Sequence, residues 1–313
     1  MRLLLGNEAL ALGALDGGAR FYAGHPLQAS AEIDRTLLRS LPERGGTAVL
    51  VEDEAAALAA TLGAGAGGLL GVTATNAAGL AMAGPLLAHA AARGIPALLA
   101  VVGSQGDPPE AVGRGERPGP VETASQREIG PLRWCAGGGA SLPVFTPASP
   151  AECYALARAA AREAVARRGP VVLYVDHVIG HLREPVDDAP AAEETPEDAE
   201  SYRVRDAQVL VVAVGIVARA ARSAVRIARE RGVRAGLFRP VRLWPFPDAL
   251  LRDAASGVER LIVAELSEGQ LVETVATAVA GIAGIGPRPG VRSLTGAGML
   301  VPGRIAAAIE ESA

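Results

Sequence analysis

The chain has 313 residues, half of them hydrophobic and only 3% aromatic, with a net charge of −4 at pH 7. Bases are scattered among acids and stacking platforms are scarce, which argues against a nucleic-acid partner or an anionic membrane surface. Two cysteines, Cys135 and Cys153, exclude an iron–sulfur cluster held wholly by this chain's thiolates, and no uncharged apolar run approaches the ~20 residues that span a bilayer.

The N-terminal stretch is apolar but broken by Glu8, with no cleavage-like segment after it, so a cytoplasmic chain is expected. Asn7–Leu15 is expected to be a helix capped by Asn7 and closed at Gly17 and Gly18. Arg20–Gly24 reads as a strand, His25–Ser30 as the loop at its carboxyl end, and Ala31–Ser40 as a second helix. Ala48–Val51 reads as a short buried strand. Glu52, Asp53 and Glu54 follow at once, then the helix-forming run Ala55–Leu62, glycines, and a strand at Leu69–Ala74. Thr75–Gly79 is a turn of small residues before a helix at Leu80–Arg93, and Pro96–Val102 is a strand buried on both faces. Gly103–Gln126, rich in Gly, Pro and charge, is expected to be a long loop of the kind that carries function. Pro143–Pro147 is a strand ending in a turn. Ser149–Arg168 is a helix opened by a capping box of Ser149 and Glu152 with Pro150 at its first position, and Pro170–Val175 is another buried strand.

Asp187–Glu200 holds acids and prolines and almost no large apolar group, so it reads as a linker. Beyond it the pattern is strand Gln208–Val214, helix Ala218–Arg231, strand Arg234–Arg239, stiff loop Pro240–Pro247, helix Asp248–Ser256, strand Arg260–Glu265, helix Gly269–Ala280, strand Val291–Leu294 and helix Pro302–Glu311. Alternation at these lengths gives parallel sheets in both halves. The expected organisation is one α/β domain over 1–186, an acidic linker over 187–201 and a smaller α/β domain over 202–313.

Acids at the end of a strand lie where open α/β sheets bind ligands, although acids in a first helical turn also complement the helix dipole. The run Gly63–Gly68 follows a helix and precedes a strand, the reverse of a dinucleotide fingerprint. His177 and His181 have the spacing of paired metal ligands, but Gly180 between them and the strand before them argue against a helix, so a structural or surface role and no metal site is expected. Among single histidines, His25 in its strand-end loop is a better ligand candidate than His89. Ser30 and Ser104 lack the setting of a hydrolase nucleophile. The aromatic and proline-rich run Arg239–Pro247 fits either a rigid loop or an interface anchor.

Several stretches together carry a resemblance. They are Gly6-Asn7-Glu8-Ala9, Gly13-Ala14-Leu15, Phe21-Tyr22-Ala23-Gly24, Val51-Glu52-Asp53-Glu54-Ala55, Thr73-Ala74-Thr75, Asp176–Glu184 and Phe238–Pro247. In this order, and over nearly the whole chain, they resemble the alpha subunits of the 2-oxoacid:ferredoxin oxidoreductases, which act on 2-oxoglutarate and related 2-oxoacids. The resemblance implies a thiamine diphosphate enzyme assembled as a hetero-oligomer, with this chain supplying a pyrimidine-binding parallel-sheet domain and then a transketolase-C-like α/β domain. A beta subunit would bind the diphosphate through Mg2+ and hold an iron–sulfur cluster. Ferredoxin would take the electrons, CoA would be the co-substrate, and a gamma subunit is a further candidate partner. This sequence has no Gly-Asp-Gly followed by an Asn pair, in keeping with that division. The implied role of Glu54 is to hydrogen-bond N1′ of the cofactor's aminopyrimidine, favouring the imino tautomer that removes the thiazolium C2 proton. Glu52, two residues back on an extended strand and so on the same face, is the alternative. Thr75 and Asn76 are the other cofactor-binding candidates.

Two loops depart from the family. Its Tyr-Pro-Ile-Thr-Pro-Ser loop reads His25-Pro26-Leu27-Gln28-Ala29-Ser30 here, and its Gly-Pro-Ser-Thr-Gly loop reads Gly103-Ser104-Gln105-Gly106-Asp107. Gln28 replaces a Thr that helps hold the 2-oxoacid carboxylate; it can still donate, and His25 could add a donor. His25, Gln28, Ser30 and Ser104 are therefore the expected substrate residues. The leading expectation is an active subunit that oxidatively decarboxylates an unusual 2-oxoacid to acyl-CoA. The alternatives are a divergent non-oxidative assembly or structural subunit, or a subunit of a thiamine diphosphate-dependent decarboxylase. An acid kept at position 54 favours the first.

Overall fold

The computed structural model describes residues 1–103, 124–137, 141–188, 196–280, 290–296 and 298–313, the Gln28 side chain excepted. They form two α/β units: Met1–Ser104 with Pro131–Pro196 and Leu243–Pro245, and Gln105–Gly130 with Glu197–Arg242 and Phe246–Ala313.

The first unit is built on β2 (Phe21–Gly24), β3 (Thr47–Leu50), β4 (Gly71–Thr75), β5 (Ala97–Val102), β6 (Val144–Phe145) and β7 (Pro170–Val175). With β12 (Arg242–Trp244) they make a seven-stranded sheet in the order β12-β6-β7-β5-β4-β2-β3. The ladders from β6 to β3 are all parallel. The charge-free strands β5 and β7 are buried at every residue, as their composition requires. Helix α1 (Gly6–Asp16) is apolar on nearly all sides and is accordingly buried along most of its length. It packs on α6 (Pro150–Arg167), which follows the short α5 (Ile129–Arg133), through glycines: a Cβ on Gly13 would stand 2.1 Å from the Tyr154 carbonyl oxygen, and one on Gly17 2.5 Å from Ala161 Cβ. The expected capping box forms at α6, where Ser149 Oγ accepts from Glu152 N and Glu152 Oε2 accepts from Ala148 N. Cys135 and Cys153 are both buried and free; burial pushes the Cys135 thiol up to about 11 and the Cys153 thiol well above its usual range, so neither is a thiolate at neutral pH.

Five local features differ from the sequence expectations, one of them β3, expected to be buried but an edge strand with Thr47 and Leu50 exposed. Asn7 does not cap α1: the strand β1 (Arg2–Leu5) runs directly into the helix, and Asn7 is inside and fully buried. β1 pairs antiparallel with β8 (Arg183–Val186), two strands too short to show a period. The expected loop at Pro240–Pro247 contributes β12, because Leu243 and Trp244 bury against the first sheet's edge. His177–His181 is a short helix after all, α7, because Asp176 Oδ1 accepts from Ile179 N and opens it.

The second unit has a five-stranded sheet of β9 (Ala199–Tyr202), β10 (Val209–Val212), β11 (Ala235–Pro240), β13 (Arg260–Glu265) and β14 (Gly290–Thr295), in the order β14-β13-β10-β11-β9. All pairs are parallel except β9, which runs antiparallel to β11 and takes in Glu200 from the end of the acidic stretch. Val217, Ala221, Ala224, Val225 and Ala228 recur at helical spacing along α8 (Gly215–Glu230) and form one core with Val211, Leu237 and Ile262 of the sheet. No helix among the described residues is long and apolar enough to cross a membrane.

Candidate active site

The chain enters the first sheet at β2, moves to β3 on one side, then crosses to β4 on the other. The sheet therefore has a switch point between β2 and β4, and a crevice is expected outside the carboxyl ends of these strands. The register pairs Gly24 with Leu50 and Tyr22 with Val72. Extended by one row, the β2–β3 register brings His25 and Val51 to one level. The contacts agree, since Val51 N donates to the Gly24 carbonyl at 2.9 Å and His25 Nδ1 lies 3.3 Å from the Val51 carbonyl oxygen.

The three acids after β3 have separated. Glu52 is exposed. Asp53 is the cap of α3 (Glu54–Ala66), its Oδ1 accepting from Ala56 N at 2.7 Å. Glu54 is half-buried and turned towards the start of α4 (Ala77–Arg93). A Cβ placed on Gly79 would fall 2.0 Å from Thr75 Oγ1, 2.9 Å from Glu54 Cγ and 3.0 Å from Glu54 Cβ. The Glu54 side chain and the Thr75 hydroxyl thus lie side by side across the first turn of α4, with the missing Gly79 side chain leaving the space between them. Thr75 Oγ1 is buried and has no hydrogen-bond partner among the described residues. Asn76 is already committed: its Oδ1 accepts from Ala78 N at 2.9 Å and Gly79 N at 3.2 Å, capping α4.

After β2, residues Gln28–Ser30 form a single 3-10 turn that leads into α2 (Ala31–Glu43). Ser30 Oγ is buried without a partner among the described residues, a second such hydroxyl at this edge. Behind the loop, the buried Tyr22 hydroxyl donates to Asp34 Oδ1, and Gly24 leaves room for it, since a Cβ there would meet the Tyr22 oxygen at 2.4 Å. Burial raises the Asp34 carboxyl above its ordinary range; the Tyr22 hydrogen bond lowers it, the nearby Glu32 charge raises it, and His25 lowers it. The Tyr22 hydroxyl is held far above its usual range by burial and by the Asp34 charge. His177 and His181 stack with ring centroids 4.2 Å apart, and His181 Nδ1 is engaged with the His177 carbonyl at 2.9 Å, an arrangement that serves α7 itself.

The structure therefore gathers Glu54 and Thr75 together, sets His25 against Val51 at the end of β3, and leaves Ser30 buried in the loop after β2. Ser104 lies outside the described residues. The sequence reading gave no role to Gly79. Its signal was available, a glycine three residues after a cap position where the first turn of a helix faces a strand end.

An unpaired buried hydroxyl costs about 1–3 kcal/mol, so Thr75 and Ser30 mark places where polar atoms of a ligand would complete the hydrogen bonding. The Glu54 carboxylate lies beside the Thr75 hydroxyl, and that pair can take a ligand that offers a ring nitrogen and a further polar atom.

Residues 12–208 match the family described as pyruvate flavodoxin/ferredoxin oxidoreductase, thiamine diphosphate-binding, and residues 207–292 match pyruvate:ferredoxin oxidoreductase core domain II. The chain is 29% identical to 2-oxoglutarate synthase subunit KorA of Methanothermobacter marburgensis, over 89% of this chain and 91% of that one. It is also 29% identical to ketoisovalerate oxidoreductase subunit VorB of Methanothermobacter thermautotrophicus, over 88% of each. Its fold matches 2-oxoglutarate:ferredoxin oxidoreductase from Magnetococcus marinus, solved with 2-oxoglutarate, coenzyme A and succinyl-CoA, at a TM-score of 0.85 and 19% identity; the match covers 99% of this chain but 65% of that longer one. Nothing in these relatives' names favours a non-oxidative subunit or a simple decarboxylase. The chain belongs to the pyruvate flavodoxin/ferredoxin oxidoreductase family, as an alpha-type subunit of a 2-oxoacid:ferredoxin oxidoreductase with a thiamine diphosphate-binding domain.

Proposed function

We propose that this subunit holds the pyrimidine end of thiamine diphosphate at the carboxyl edge of β3, β2 and β4. The complex it builds would convert a 2-oxoacid and CoA, with two oxidised ferredoxins, to acyl-CoA, CO2, a proton and two reduced ferredoxins. The observation that carries the reading is the pairing of the Glu54 side chain with the unpartnered Thr75 hydroxyl around Gly79. When bound, thiamine diphosphate supplies the carbon centre at which a 2-oxoacid loses CO2. Glu54 would hold a proton at the aminopyrimidine N1′, and Thr75 Oγ1 would hydrogen-bond the same ring. Glu54 is favoured over Glu52 because Glu52 is exposed, and water would weaken its hold on a ring nitrogen. Asn76 would act through its cap on α4.

The loop His25–Ser30 would take the substrate carboxylate, with His25, Gln28 and Ser30 as donors and Ser104 from the following loop. The names of its relatives put 2-oxoglutarate and ketoisovalerate first among substrates to assay. A beta-type partner would hold the diphosphate, its Mg2+ and an iron–sulfur cluster, and the complex would work in the cytoplasm with or without a gamma-type subunit. The division of this chain into a pyrimidine-binding domain over 1–186, a linker over 187–201 and a transketolase-C-like domain over 202–313 belongs to the same reading.

The test is anaerobic reduction of ferredoxin or a dye by the co-expressed complex, with each 2-oxoacid and CoA. Glu54→Gln should abolish 2-oxoacid-dependent reduction while the complex still assembles. Undiminished turnover by Glu54→Gln would remove the assignment.

A further inference from the structure

Asn7 is fully buried in the first turn of α1, and its amide nitrogen makes two long-range hydrogen bonds, to the Ala29 carbonyl at 2.9 Å and to Glu32 Oε2 at 3.0 Å. The Ala29 carbonyl belongs to the peptide whose N–H is that of Ser30, and Ser30 N donates to the Leu27 carbonyl at 3.2 Å. Both polar ends of the Ala29–Ser30 peptide are therefore tied, the oxygen by Asn7 and the N–H by the loop itself. With that plane fixed, the direction of the Ser30 Cα–Cβ bond depends only on the Ser30 φ, which is −117° where Ser30 leads into α2.

Asn7 itself has little freedom. A Cβ on Gly6 would stand 2.1 Å from the Ile179 carbonyl oxygen, and one on Gly180 2.7 Å from Asn7 Oδ1. Gly6 N also donates to the Leu182 carbonyl at 3.1 Å. Glu32 has further partners: Arg35 lies 3.3 Å from its Oε1, and His181 Nε2 lies 3.6 Å from the same Oε2 that Asn7 bonds. Asn7 Oδ1, by contrast, is buried with no partner. A side chain that leaves its own acceptor unpaired in order to place its donors is costly as a mere filler of space, and a small apolar residue would fill this position without that penalty.

We infer that Asn7 is a positioning residue for the 2-oxoacid: by locking the Ala29–Ser30 peptide and the first turn of α2, it aims the Ser30 hydroxyl at the substrate. The inference rests on the reading that the His25–Ser30 loop binds the 2-oxoacid. It is separable from that reading by experiment, because Ser30 tests the loop and Asn7 tests the clamp.

The experiment uses the co-expressed complex and measures KM and kcat for 2-oxoglutarate and ketoisovalerate, half-saturation by thiamine diphosphate, and thermal midpoint. The proteins are wild type, Asn7→Ala, Ser30→Ala and the double variant. Asn7→Ala should raise KM for the 2-oxoacid about tenfold, with kcat within about threefold and thiamine diphosphate half-saturation unchanged. In the Ser30→Ala background it should add little, because the two residues act as one unit. Fully additive effects, or a fall in thermal midpoint with KM untouched, would overturn the inference. An unchanged KM in Ser30→Ala would overturn the loop reading instead. If Asn7→Ala does not assemble, Glu32→Ala frees one of the two hydrogen bonds and should raise the same KM by about threefold; no change there also overturns the clamp.

Discussion

Both units end their parallel strands at a switch point, β2/β4 in the first and β13/β10 in the second, yet the two edges are finished in opposite ways. In the second unit the edge is closed by the chain's own groups. Gln126 N donates to the Leu266 carbonyl at 3.0 Å, its side-chain Oε1 accepts from Leu266 N at 3.3 Å, and its Nε2 donates to the Val214 carbonyl at 3.0 Å. Glu265, fully buried at the end of β13, accepts from Leu271 N at 2.9 Å, Val272 N at 3.3 Å and Ser293 Oγ at 3.1 Å, and also from Ser267 Oγ. Among the described residues of the first unit, Thr75 Oγ1 and Ser30 Oγ have no partner, and the Glu54 carboxylate has none either. The same topology thus yields one edge that satisfies itself and one that leaves its polar atoms for something else. The place where a fold offers a site is not enough to identify one; the state of its hydrogen bonds tells a socket from a seam.

Making the same change on both edges tests this contrast most directly. Glu54→Gln should cost at least about 10²-fold in turnover, the scale of a lost general acid–base group, with little change in thermal midpoint. Glu265→Gln should do the reverse. It replaces an acceptor of four hydrogen bonds by an amide whose N–H2 faces donors, at about 1–3 kcal/mol for each clash left unrelieved, and should lower the midpoint by several degrees while the folded complex keeps its specific activity. Gln126→Ala should resemble Glu265→Gln, since it strands Val214 O and Leu266 N. Loss of stability at Glu54, or of turnover alone at Glu265, would erase the distinction between the edges.

A smaller effect is expected at Gly79, the residue that lets the first edge stay open. Gly79→Ala sets a methyl 2.0 Å from Thr75 Oγ1 and 2.9 Å from Glu54 Cγ, so Thr75 must rotate and Glu54 must move. Half-saturation by thiamine diphosphate should rise by about tenfold, with turnover partly restored at saturating cofactor. Titration of the apo-complex with thiamine diphosphate reads this directly, and an unshifted curve would place the ring elsewhere.

The sequence revealed more of the scaffold than of these edges, and the reason is physical. The buried strands β5 and β7 and the capped helix α6 are set by composition and local hydrogen bonds, which are written in consecutive residues. That Glu54 rather than Glu52 turns inward follows from Asp53 taking the cap, and cap competition among three adjacent acids is not decided by type alone. Asn7 read as a cap because its partners, Ala29 and Glu32, are more than twenty residues away, and only β1 running straight into α1 frees its side chain to reach them. Gln126 closed the second edge from within a stretch whose composition showed only a loop. Glu200 could not reveal its strand, because β9 is recruited by the edge of β11 and has little apolar content of its own.

The smallest expected effect lies beneath the open edge, at Asp34. Burial raises its carboxyl in the folded chain above the ordinary value of about 3.9, so between that value and the raised one the folded form binds more protons than the unfolded form. Its contribution to stability therefore grows as pH falls through the raised value and is complete below about 4, whereas at neutral pH the buried charge is a penalty. Asp34→Asn keeps an acceptor for the Tyr22 hydroxyl and removes the charge. Its thermal midpoint should equal or slightly exceed that of the wild type at pH 7, and this advantage should shrink as the pH is lowered towards the carboxylate range. A variant less stable than wild type at neutral pH would mean that the charge on Asp34 is needed there, by Tyr22 or by His25. The buried pair would then belong to the open edge's function rather than to its foundation.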